Sequence, residues 1–317
     1  MNNLLIMYRF ELKKFVQKKL LWISLLVCMA VIGFSILFPL MGSYLVNGTY
    51  VGTNYEEHLI NQEYRKALSG KSIDQALLEE TIVAYKDLPI ETNYVLTEEY
   101  QTYARPYSDI FNLIRSWTGM DKGTAQQWSP DEVALYAARR DHFEESAVKN
   151  YLTEAEISYW QSHADSLETP IVYQFHEGYG CILETFLTVG FMMLIYVAIT
   201  LSSSFPDEHT YRTDQLVLCT SNGKKRLYWV KLLSGITVGC VGALLMALLT
   251  WVLSLRVYGS EGFDAAIQLF YTGYAGNITI GQACLVAYGC LIVTAIFISV
   301  FVMLLSELFS SSIAAMS

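Results

Sequence analysis

The chain reads as an all-α membrane protein, with four transmembrane helices and a mainly helical extracytoplasmic domain. Three observations point there. Of 317 residues, 53% are hydrophobic and only 16% are charged, whereas a soluble domain carries about a quarter charged residues. The apolar residues gather into four blocks, Leu20–Met41, Cys181–Ser202, Leu227–Leu255 and Gln282–Leu305. Each runs to about 20 residues or more, the length a helix needs to cross a hydrocarbon core of about 30 Å. The blocks are continuous and lack the alternation of barrel strands, so helices are what can satisfy their backbone in lipid.

Residues 1–19, MNNLLIMYRFELKKFVQKK, make an amphipathic basic helix carrying Arg9, Lys13, Lys14, Lys18 and Lys19. The first span, 20–41, outruns the apolar core of a signal peptide, and no A-x-A-like cleavage site follows it, so it is read as retained. Residues 42–180 are long enough for a domain of their own. Acidic side chains outnumber basic ones there, which accounts for the net charge of −9. Helix starts are read at Ser72 with Gln75, at Ser129-Pro130 with Glu132, and at Thr153 with Glu156. Its many tyrosines are assigned to core packing ahead of a ligand surface. The second span is 181–202, the loop 203–226, the third span 227–255, the connection 256–281, and the fourth span 282–305. Residues 306–317 begin a further, truncated span.

Basic residues near helix ends set the orientation. The amino-terminal helix and the 205–231 stretch, with Arg212, Lys224, Lys225, Arg226 and Lys231, are cytoplasmic. Residues 42–180 and 256–281 are external. No cysteine falls within the body of the large external segment and no C-x-x-C pair exists, so neither a disulfide framework nor a metal site is expected.

Catalytic look-alikes fail on spacing. SGKS at 69–72 lacks the leading glycine of a phosphate-binding loop, that position being Arg65, and HEGYG from His176 lacks a second histidine. No catalytic residue, metal or cofactor is therefore assigned, and nucleic acid is not an expected partner. Glu184 stands within the second block, where a carboxylate is costly, and is the candidate translocation-path residue against a snorkelling one. Gly235 and Gly239, continued by Ala243, form a small-residue step in the third block, suited to close helix packing.

The stretch FPDEHTYRTDQLVLCTSNGKKRLYWVK, 205–231, can form a short helix along the membrane that ends in a Ser-Asn-Gly turn. Its pattern, F-x-x-E-x-x-x-R-T-x-x-L-x-L-x-x-S-N-G-x-x-R-x-x-x-x-K, together with the order of helix, span, large outer domain and span, resembles the permease subunit of type-2 ABC exporters. Glu208, Thr213, Leu216, Leu218, Arg226 and Lys231 match that family's coupling loop. Arg212 stands where the family has glycine, and CTSNGKKR replaces a proline-containing turn.

The resemblance implies a multi-pass permease of the bacterial inner membrane that works by alternating access. ATP would be bound by separate cytosolic ABC ATPase subunits. The permease would pair with a second copy, identical or not, among membrane lipids. It also implies six spans, so the chain is expected to be a fragment of a longer subunit. By family analogy the cargo is a peptide antibiotic or a lipid-like compound. The alternative is a membrane receptor whose outer domain binds a ligand and signals through the spans.

Overall fold

The structure, a computed structural model, describes residues 2–89, 94–149, 152–206, 226–274 and 276–308. It divides into two compact units. The span unit comprises Met1–Leu37, Cys181–Leu255 and Leu285–Ser317; the inserted unit comprises Phe38–Gly180 and Arg256–Cys284.

The span unit begins with α1 (Asn2–Gln17) and, after a break at Lys18, α2 (Lys19–Leu37). Phe15 of α1 is buried, while Leu4, Leu5, Ile6 and Phe10 are exposed. Three helical stretches are long and apolar enough to cross a membrane: Lys19–Leu40, Arg226–Tyr258 and Ile280–Leu308. The protein is therefore predominantly helical and membrane-like.

The second apolar block is different. It forms α9 (Glu177–Glu184) and α10 (Phe186–Leu201), bent by 41° at their junction. The bend falls at Thr185, whose Oγ1 donates to the carbonyls of Cys181 (2.7 Å) and Ile182 (3.3 Å). At 16 residues and 1.5 Å per residue, α10 alone falls short of a core about 30 Å thick. Only the bent pair together has the length and apolarity of a span.

The two long helices are labelled α11 (Arg226–Tyr258) and α12 (Ile280–Leu308). They pack with α2 and α10 where glycines leave room for a neighbour's side chain. A Cβ on Gly33 would touch Leu253, and one on Gly190 would touch Leu291, both at ordinary contact distance. Cys28 Sγ lies 3.5 Å from the carbonyl oxygen of Met192.

The inserted unit opens with a feature that a purely helical expectation omits. Strands β1 (Ser43–Val46) and β2 (Thr49–Thr53) pair antiparallel. Asn47 (φ 48°) and Gly48 (φ 76°) form the turn. Two consecutive left-handed residues make the type I′ turn, and Asn-Gly is its preferred sequence.

Helices α3 (Asn54–Leu68), α4 (Gln75–Tyr85), α5 (Ser108–Thr118), α6 (Lys122–Gln127), α7 (Glu132–Lys149) and α8 (Glu154–Asp165) follow. Thr53 and Thr153 each complete a capping box, with Glu56 and Glu156. Two other expected caps are corrected. Ser72 does not start α4; Asp74 does, accepting from the Leu77 amide. Ser72 instead bridges to Val172, between bonds from the Gly70 amide to the Tyr173 carbonyl and from the Ile73 amide to the Ile171 carbonyl. A residue held in that extended ladder has no freedom to cap. At α7 the cap oxygen comes from Asp131, to the Ala134 amide, and not from Ser129. Glu132 exchanges two bonds with Gln75 instead.

Trp117, Tyr85, Phe111, Ile110, Ile114 and Leu78 are the heart of this unit, with the Tyr85 and Phe111 rings stacked at 3.8 Å. Gln126 Nε2 donates to the carbonyls of Tyr85 (2.7 Å) and Leu88 (3.1 Å) and ties α6 to the end of α4. The 256–284 segment also joins this unit. Gly262 (φ 87°) sits so close to the backbone of Phe175 and His176 that a Cβ would collide with it.

Candidate functional site

The expected coupling stretch has two described flanks. Glu208, Arg212, Thr213, Leu216 and Leu218 lie outside the described residues. Before them, α10 ends at Leu201, and the Ser202 carbonyl accepts from Ser306 Oγ at 2.8 Å. The same hydroxyl accepts from the Phe205 amide at 3.2 Å. After them, α11 starts at Arg226, and Lys231 is 97% buried with Nζ 4.2 Å above the Phe205 ring. A cation over an aromatic face is attracted to the ring quadrupole, more strongly when water is excluded. Lys18 Nζ donates to Ser203 Oγ at 2.7 Å, and Tyr8 and Thr237 share a bond of 2.8 Å. The stretch thus leaves and re-enters the span unit at one stapled base, shared by α10, α11, α12 and the α1–α2 junction.

Arg226 also borders an apolar cavity of about 720 Å³, lined by Leu4, Leu5, Tyr8, Trp229, Val230 and Leu233. It lies between α1 and the first turns of α11, so the amphipathic helix faces the start of the third apolar stretch. Glu11 of α1 is buried and bonded to Lys14.

Among the small residues, Gly235 faces Met303, and a Cβ there would touch the flexible end of that side chain. Gly239 meets Ser299 more tightly, and Ala243 is fully buried. Sequence reasoning missed Gly242, the tightest of the set, where a Cβ would collide with the Tyr196 ring. Gly242 is not on the Gly-x-x-x-Gly repeat, because it faces α10 while the repeat faces α12. Glu184 is the last residue of α9 and stands at the 41° bend.

The inserted unit holds a charged cluster, unexpected from the residues alone, built from three distant segments. Arg65 on α3 pairs with Asp109 on α5 through Nε (2.9 Å) and with Glu177 on α9 through Nη1 (2.9 Å). His58 Nδ1 lies 3.3 Å from the same Glu177 oxygen, and the Tyr173 hydroxyl donates to Asp109 Oδ2 at 2.7 Å. Burial works to lower the basicity of Arg65, but Asp109 and Glu177 outweigh it and hold its pKa above the ordinary value. Burial raises the Tyr173 phenol, and the Asp109 carboxylate raises it further. Burial lowers His176, opposed in part by its 2.7 Å bond with the Gln174 carbonyl.

Each carboxylate of this cluster has a cation beside it. The cluster therefore holds chain segments in place and does not offer an acid–base pair for chemistry. The signal that could have exposed it is weak, since ordinary Arg, Asp and Glu residues far apart carry no spacing rule. Among the described residues, no group of three or more His, Cys, Asp or Glu side chains is placed to hold a metal ion.

No protein-family model matches the chain, and no curated protein or solved structure is similar to it.

Proposed function

We propose that the chain is the permease subunit of an ATP-binding cassette transporter, moving its cargo across a bacterial membrane by alternating access. On this reading the bent α9–α10 pair is one span, giving four, and the amino terminus and the 205–231 stretch face the cytosol. Hydrolysis of ATP belongs to a separate ATPase, and a second permease copy completes the pathway.

The observation that supports the reading is the stapled base of the 205–231 stretch. A connector that merely links two spans needs no shared anchor. Here Ser306 fixes the exit at Phe205, and Lys231 closes over the same ring at the return. A push on the stretch would then reach α10, α11 and α12 together, because packed helices transmit strain instead of absorbing it. The basic residues around it suit a cytosolic position.

The test is ATP hydrolysis by the complex purified with its ATPase. Glu208→Ala and Arg226→Ala should each lower stimulation by about tenfold, a loss of about 1.4 kcal/mol of coupling. Lys224→Ala should leave it unchanged, since Arg226 offers a forked contact and Lys224 only a point charge. Membrane levels of all three should match the parent. Undiminished stimulation in both of the first two would reduce the stretch to a connector and favour the receptor alternative.

A further inference from the structure

Among the described residues the inserted unit buries two arginines, Arg105 and Arg139, and half-buries Arg65; Arg105 and Arg65 are neutralised. Arg65 has Asp109 and Glu177. Arg105 has Glu57 at 3.8 Å, along with bonds to Asn61, Gln101, the Tyr44 hydroxyl and the Glu57 carbonyl. Arg139 on α7 is the exception. Only 9% of its surface is exposed, yet among the described residues no carboxylate pairs with it. Among the described residues its one hydrogen bond runs from Nη2 to the Tyr274 carbonyl at 2.9 Å, and its buried Nε meets no acceptor. Burial lowers its pKa and no acidic neighbour reverses the effect, the opposite of what happens at Arg65.

A second orphan sits against it. The Arg139 guanidinium lies 5.6 Å from the centre of the Trp117 ring, and Trp117, 1% exposed, also has a buried Nε1–H with no acceptor. Nearby acceptors are committed elsewhere. The Tyr136 hydroxyl donates to the Ile73 carbonyl and accepts from the Ile171 amide. The Tyr274 carbonyl that Arg139 reaches also accepts from Gln268 Nε2 at 3.4 Å. An uncompensated buried charge and an unmet buried N–H are each costly, and their coincidence calls for a missing anionic acceptor.

We infer that Arg139 and Trp117 form a binding site for the carboxylate of a small ligand. A planar guanidinium with an unmet Nε–H suits a carboxylate oxygen, and the Trp117 and Tyr136 rings beside it suit an aromatic or apolar body. This does not depend on the transport reading, because the site lies wholly in the inserted unit. The carboxylate belongs either to a free small acid or to the end of a short peptide.

The whole chain in detergent is titrated with benzoate against benzamide, and with a phenylalanine-terminated tripeptide acid against its terminal amide. Melting temperature and calorimetric heat are the readouts. At about 10 mM, roughly ten times a millimolar Kd, at least one acid should raise the melting temperature while its amide does not. Which acid does so separates the two sources. Arg139→Gln should melt at or above the unliganded parent, since replacing an unpaired buried charge removes a burden, and should lose the acid-dependent shift. Arg139→Lys should keep the charge and bind at least about tenfold more weakly.

The inference is overturned if neither acid shifts the parent, as for a site holding only ordered water, or if acids and amides act alike. Retention of the acid shift by Arg139→Gln would overturn it too. So would a drop of more than about 4 °C in unliganded Arg139→Gln, because the guanidinium would then already be satisfied within the fold.

Discussion

In the span unit, the buried hydroxyls of Ser24, Thr200, Ser234, Thr250 and Ser299 each donate to a carbonyl three or four residues back on their own helix. In the inserted unit, Arg65, Arg105 and Gln126 reach across the sequence to other elements. The contrast is one of emphasis, since Ser306 and Tyr288 of the span unit also reach distant carbonyls and Thr81 of the inserted unit bonds back to Leu77. A helix facing hydrocarbon has no water to meet a stray donor, so the safest partner is its own backbone. What then joins helix to helix is close contact through small residues, with a few bonds such as Ser306 to the Ser202 carbonyl. The inserted unit can afford cross-element ion pairs, because water at its edges moderates the cost of a charge.

The sharpest way to break this comparison is to remove one cation from the inserted unit. Arg65→Ala leaves Asp109, Glu177 and the Tyr173 hydroxyl without their shared counter-charge. With 29% of the arginine side chain exposed, a loss of about 3 kcal/mol is expected, the low end for a broken buried pair. Chemical denaturation of the detergent-solubilised chain, followed by near-ultraviolet circular dichroism, would measure it. A loss under about 1 kcal/mol would mean that the cluster is an ordinary surface network. The contrast with the span unit would then weaken.

A smaller effect should separate the glycines of α11. Gly242→Leu drives a side chain into the Tyr196 ring and should cost about 2 kcal/mol. Gly235→Ala meets only the mobile end of Met303 and should cost less than about 0.5 kcal/mol, since alanine also favours the helix. Thermal unfolding in one detergent would rank them. No loss at Gly242→Leu would show that α11 packs by its Gly-x-x-x-Gly face alone.

These contrasts also mark what the sequence could disclose. Continuous apolar runs disclosed the long helices, because length and hydropathy are local properties that survive without knowledge of packing. The bend at Thr185 escaped notice, since a threonine bonding back to its helix looks like any other apolar-block residue. The Asn47-Gly48 hairpin is legible in the sequence, as that dipeptide is the strongest short-range turn signal. The Arg65 cluster and the Arg139–Trp117 contact join residues far apart in sequence, and only the fold makes them neighbours. Of the coupling stretch, the pattern from Glu208 to Leu218 is legible only as a resemblance; its stapled base needed the structure.

The mildest test uses acidity. His176 is buried, its Nδ1 2.7 Å from the Gln174 carbonyl oxygen, with Tyr173 beside it and Arg65, Asp109 and Glu177 acting on it electrostatically. Burial holds its folded pKa below the ordinary value of 6.5, so the unfolded chain takes up a proton before the folded one does. Stability from the neutral imidazole is therefore complete above about pH 6.5 and is lost as pH falls through the folded pKa. The slope cannot exceed about 1.4 kcal/mol per pH unit for one group. Glu56 and Glu156, whose pKa values are lowered by their capping bonds, fade only at more acid pH and do not contribute in this window. Unfolding free energy should thus fall between about pH 6.5 and 5.5 in the parent. In His176→Gln the fall should flatten, because the amide can keep a polar contact without taking a proton. An unchanged slope in that variant would assign the acid sensitivity to other groups and leave His176 charged without penalty, hence with access to water.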